Sequence, residues 1–184
     1  EAGDRDEQRV ALVAQFVRNF PQAAGRARVA AQLAKYHESK KRDALAAQSY
    51  KECLGFVGSE EEVECTLRLG QLQARIGLKD EAIGSLKKAA SSTAKGPSAF
   101  FVSVARWELA RAAEAAIVTD KSQSEKLLPE NLAKLLPKRL QNFELLTKAL
   151  APVLEIGGPY SVQASYKQAK AALDLASEME AVAP

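Results

Sequence analysis

The chain has 184 residues, of which 47% are hydrophobic, 27% charged and 6% aromatic, and its 26 basic and 23 acidic side chains leave a net charge of +3. That composition excludes wholesale disorder, and the mixing of the two signs leaves no single-sign field of the kind that grips nucleic acid. No apolar run approaches the ~20 residues that cross a bilayer, and the opening segment Glu1 to Glu7 is charged, so neither a membrane span nor a signal peptide is read. Because it opens without a methionine, the chain is expected to be a mature or excised part of a longer protein.

Helical periodicity dominates from the start, and alternating strand patterns are missing. A first helix is expected from about Asp4 to Asn19, with Val10, Val13, Phe16, Val17 and Phe20 on one side and Pro21 ending it. A second covers Gly25 to Ser39. A third runs from Arg42 to Leu54, where Leu45, Ser49, Tyr50, Cys53 and Leu54 follow helical spacing, and Gly55 to Gly58 turns the chain. Ser59, with Glu62 three residues on, forms a capping box for the next helix. That helix carries Val63, Leu67, Gly70 and Ala74 to a break at Gly77. Its antiparallel mate is marked by Ala82, Ile83, Leu86, Ala89 and Ala90. Gly96-Pro97-Ser98 opens a long helix to Val118. The stretch Thr119 to Lys126 reads as loop, and a short amphipathic helix is expected over Leu127 to Leu136, bounded by Pro129 and Pro137. A full helix follows over Lys138 to Glu155, and Gly157-Gly158-Pro159 separates it from a last one ending near Val182.

An internal repeat organises this series. Leu33-Ala34 followed by Ala46, Tyr50, Cys53 and Leu54 matches Leu69-Gly70 followed by Ala82, Leu86, Ala89 and Ala90 at a constant offset of 36 residues. Small residues facing each other let two helices approach, and a larger residue one turn on fills the groove. A weaker third copy places Phe101, Val104 and Ala105 in a first helix. This arrangement resembles the tetratricopeptide (TPR) pattern, carried best by Leu69, Gly70, Gly77, Ala82 and Ala89. Ala30 and Thr66 stand where that pattern often has tryptophan. The run Phe16-Val17-Arg18-Asn19-Phe20-Pro21-Gln22, leading to Leu33-Ala34 and Tyr36, is similar to the repeat style of periplasmic TPR proteins. The resemblance implies an all-α fold, a right-handed superhelix of antiparallel helix pairs with a C-terminal capping helix. It implies a single domain over 1–184, with units at about 25–56, 59–94 and 98–156, an insertion at 119–137 and a terminal helix at 160–182. It also implies a bacterial envelope scaffold and a periplasmic location, with a cytoplasmic one as the alternative.

No nucleophile, acid-base pair, metal cluster or phosphate loop is read, so the expectation is a non-catalytic scaffold without cofactors. His37 is read as a packing residue, and one histidine with two cysteines makes no zinc site. Cys53 and Cys65 are twelve residues apart on helices joined by a turn; a disulfide and a pair of buried thiols both explain them. By the TPR resemblance, a protein or peptide partner lies on the face of the first helices, at Arg28, Lys35, Glu38, Glu64, Gln71 and Arg75. The clamp by which chaperone-binding TPR domains hold a terminal carboxylate is not reproduced by Gln32, Lys35, Arg68 and Gln71. Trp107 is a further candidate anchor, against a core role. The leucine-rich stretch 127–136 either packs back on the fold or docks elsewhere, and homo-oligomerisation stays open. The alternatives are a spacer or dimerisation segment and an RNA-binding helical repeat; Glu38 and Glu64 argue against the last.

Overall fold

The computed structural model describes residues 2–23, 25–55, 61–120 and 123–182. Among them the backbone forms eight α-helices and no strand: α1 (Ala2–Asn19), α2 (Arg26–Ser39), α3 (Asp43–Cys53), α4 (Glu62–Arg75), α5 (Lys79–Ala90), α6 (Pro97–Val118), α7 (Leu132–Ile156) and α8 (Ser161–Glu180). Packing divides the chain into two compact units, Glu1–Val102 and Ser103–Pro184.

In the first unit each helix from α1 to α5 packs on the next in sequence. The 36-residue offset is a structural repeat. Arg26 and Ser39 bound α2 as Glu62 and Arg75 bound α4, and Asp43 opens α3 as Lys79 opens α5. The two hairpin turns are built alike: Arg42 N–H donates to His37 O at 2.9 Å, and Leu78 N–H donates to Gln73 O at 2.9 Å. Gly70 fixes the approach of α4 and α5, since a Cβ there would lie 3.0 Å from Leu86 Cγ and 3.2 Å from Leu86 N. In the first hairpin the equivalent pair is Ala34 and Tyr50, both fully buried. Size alternation therefore sets the spacing of both pairs.

The core of this unit gathers Val17, Ala30, Ala34, Tyr50, Leu69 and Leu72 around Cys53 and Cys65. The two cysteines are bonded, Sγ to Sγ at 2.17 Å with Cα atoms 6.4 Å apart, which fastens the end of α3 to α4. Burying each large side chain contributes about 1.5–3 kcal/mol. Phe20 and Leu45, placed on apolar stripes by their spacing, are instead exposed. Val17 takes the buried place that α1 offers α2, and Phe20, past the helix end, rests on the Phe16 ring at 5.5 Å. On α3 the buried line is Ala46, Ser49, Tyr50 and Cys53, one position round from Leu45, and Ile83 is turned outward on α5 in the same way. The helix α4 starts at Glu62; the turn residues 56–58 and the expected cap at Ser59 lie outside the described residues.

The second unit packs Trp107 and Ala110 of α6 against Leu150 and Val153 of α7 and Ala164 of α8. Here one expectation is corrected. No break occurs at Pro137: α7 runs unbroken from Leu132 through both Pro137 and Pro152. A proline removes its own ladder donor and crowds the carbonyl four residues back, and Pro137 stands near the helix start, where few such bonds have yet formed. Burial of Leu135, Leu150 and Val153 carries the helix across both sites. Leu127 is also buried, so the leucine-rich stretch packs part of its apolar surface.

Candidate functional site

The equivalence of α2 and α4 places Arg28, Lys35 and Glu38 on one helix and Glu64, Gln71 and Arg75 on its repeat. Two ion pairs join these positions across the helices. Lys35 Nζ pairs with Glu64 Oε1 at 2.7 Å, and Arg75 Nη1 pairs with Glu38 Oε1 at 3.2 Å. Arg75 reaches on to Asp43 at the start of α3, Nη2 to Oδ1 at 2.9 Å. Tyr50 O–H, fully buried, donates to Glu38 Oε2 at 2.9 Å. Arg68 Nε lies 3.9 Å from Glu64 Oε1, one turn along α4. Gln71 sits half-buried between Arg68 and Arg75 in sequence, and Arg28 is exposed one helix end away.

Asp43, Tyr50 and Arg68 were not among the six residues that the resemblance placed on the partner face. The signal available for Tyr50 was its place as the large residue opposite Ala34, which buries its ring and leaves only the hydroxyl needing an acceptor. Burial pushes the Tyr50 phenol above its ordinary range, and the Glu38 hydrogen bond adds to the shift. The bond to Asp43 holds the Arg75 guanidinium above its usual value.

The two signs are not presented alike. The acids are recessed, with Glu64 14% and Glu38 24% exposed, whereas Lys35, Arg68 and Arg75 are 48%, 42% and 49% exposed. Both oxygens of Glu38 already accept from the protein, and the cations retain free donors. Toward solvent the strip is therefore cationic. Exposed ion pairs of this kind contribute only about 0.2–1 kcal/mol each to folding, so exchanging them for contacts with another molecule costs little.

Trp107 belongs to the second unit. Its ring is 8% exposed, stacked on Tyr160 at 5.5 Å with Lys167 Nζ 5.9 Å over it, and serves the core of the second unit. His37 is buried with Nδ1 unpartnered, and burial lowers its pKa. Among the described residues no group of three or more His, Cys, Asp or Glu side chains could hold a metal ion, and no helix is long and apolar enough to cross a membrane. Comparison with protein-family models, with curated proteins and with solved structures finds no match for this chain.

Proposed function

We propose that this chain is a non-catalytic interaction scaffold of the TPR type, stacking helix pairs into a right-handed superhelix and holding a protein or peptide partner along the α2–α4 strip. The observation that carries the reading is the strip itself: two helices equivalent by a 36-residue repeat, bridged by Lys35–Glu64 and Arg75–Glu38, with acids recessed and cations exposed. Solenoids present partners with equivalent positions of successive units, so a repeat that brings its polar positions together is what such a scaffold requires. The surface sign favours an acidic segment of the partner. RNA is disfavoured because Glu38 and Glu64 interrupt the strip, and none of its six expected partner-binding positions carries an aromatic ring for base stacking.

The bond between Cys53 and Cys65 favours an oxidising compartment, in keeping with a place in a bacterial envelope assembly. A second reading, a spacer or dimerisation segment, is favoured by α8, where Val162, Tyr166 and Leu173 are all at least two-thirds exposed at helical spacing. Affinity capture from an envelope extract separates the two. Wild-type protein is compared with Lys35→Glu/Arg68→Glu/Arg75→Glu, both shown folded by circular dichroism. Loss of the captured proteins in the variant supports the strip, and their retention moves the working surface elsewhere.

A further inference from the structure

Helix α8 has two apolar sides. One packs inward: Ala164 is fully buried in the cluster with Trp107 and Leu150, and Lys167 and Glu178 are tied to Glu114 of α6 and Arg139 of α7. The other side faces solvent. Val162, Tyr166, Ala169, Leu173 and Ala176 are all exposed, the three large ones by 75%, 67% and 68%. They follow one another at 4, 3, 4 and 3 residues. That is the period of about 3.5 that lines one seam of a helix for a coiled-coil mate. A helix serving only a globular core needs a single apolar face, and this stripe lies away from Ala164. Val162 and Tyr166 also edge an open groove of about 700 Å³ toward Val118 of α6, itself 71% exposed. Lys170 and Asp174 flank the seam on that same side, both exposed and without an ion-pair partner among the described residues. The opposite flank, Ser165, Ala172 and Met179, carries no charge.

We infer that this seam binds a second copy of the chain, α8 against α8 in antiparallel order. Size and charge together decide the occupant. The stripe supplies both bulk and gap, so an antiparallel copy sets Tyr166 opposite Ala176 and Leu173 opposite Ala169, and the two-fold symmetry repeats each contact. A parallel mate would lay the charged flank against the uncharged one. An antiparallel mate lays it against itself and brings Lys170 of each copy to within about two residues of Asp174 of the other, roughly 3 Å of helix rise. The two lysines also approach each other, and the two carboxylates offset them. Because α8 is already held on α7, pairing orders no new helix. The inference rests on the dimerisation reading of α8 and is independent of the α2–α4 strip.

Sedimentation equilibrium of the full chain tests it. The wild type is expected to dimerise reversibly. Leu173→Glu should weaken the dimer at least about tenfold, since each copy loses a leucine from the seam. Tyr166→Glu repeats the test two turns away, and circular dichroism checks that both variants are folded. Lys170→Asp and Asp174→Lys should each self-associate about fivefold more weakly than wild type, and a mixture of the two should recover the wild-type constant. A wild type still monomeric at about 1 mM leaves the stripe to a different polypeptide and overturns both the pairing and the dimerisation reading. A dimer indifferent to Leu173→Glu and Tyr166→Glu overturns the seam alone. A dimer that needs the seam but ignores both charge changes overturns the antiparallel order.

Discussion

Lys41 and Gly77 occupy the same place in two hairpins 36 residues apart, and both have positive φ, 57° and 88°. Each reverses the chain after its first helix, in a conformation that costs a side chain about 1–2 kcal/mol and glycine almost nothing. Lys41→Gly should raise stability by about 0.5 kcal/mol, the relief of strain exceeding the entropy that glycine adds to the unfolded chain. Gly77→Ala should lower it by about 1 kcal/mol. Urea unfolding of both variants checks the pair, and their opposite signs are the point.

Two further glycines separate propensity from packing. Gly84 lies inside α5, and a methyl group placed on it would meet nothing within 4 Å, so Gly84→Ala should add about 1 kcal/mol. Gly70→Ala gains the same helix propensity but presses on Leu86 Cγ and the Leu86 backbone, so a net loss of about 1 kcal/mol is expected. In a double-mutant cycle with Leu86→Ala the two changes should be less than additive.

Stability should depend on His37 in acid. Its folded pKa lies below the ordinary 6.5 because burial disfavours the charged ring and the Arg42 charge adds to this, against an opposing pull from Glu7. The unfolded chain therefore takes up the proton first. Stability from this group is complete above about pH 6.5 and falls as pH drops from there toward the folded value. The repeat supplies the corrective variant. Gln73 and Ser85 stand 36 residues beyond His37 and Ser49, and there Ser85 O–H donates to Gln73 Oε1 at 2.7 Å, whereas His37 and Ser49 line a void of about 30 Å³. His37→Gln should form the equivalent bond, add about 1 kcal/mol and remove the histidine's share of the acid slope, that beginning near pH 6.5, in urea titrations across pH.

Reduction of the Cys53–Cys65 bond should cost about 2–4 kcal/mol. Urea midpoints with and without reductant measure it. A Cys53→Ala/Cys65→Ala variant should show no effect of reductant.

The helices α2 to α5 were legible because they are repeated: two copies at one offset mark their shared turn twice, and Gly77 alone marks a turn that Lys41 disguises. The bounds of α7 were not legible, since Pro137 reads locally as a breaker and the burial that overrides it comes from distant residues. Lys35, Glu38, Glu64 and Arg75 could be named by repeat position, but their pairing could not. It depends on how α2 and α4 approach, which no local spacing encodes. Trp107 was ambiguous for the same reason, because its partner Tyr160 lies on a distant stretch of the chain.

Whether the α2–α4 strip holds an acidic segment of a partner is tested most directly by fluorescence anisotropy of a labelled glutamate-rich peptide beside a lysine-rich one, at low and raised salt. The acidic peptide should bind, weaken as salt rises, and be lost in the Lys35→Glu/Arg68→Glu/Arg75→Glu variant, while the basic peptide does not bind that strip. An acidic peptide that does not bind, or that is indifferent to the triple change, would contradict the strip's role.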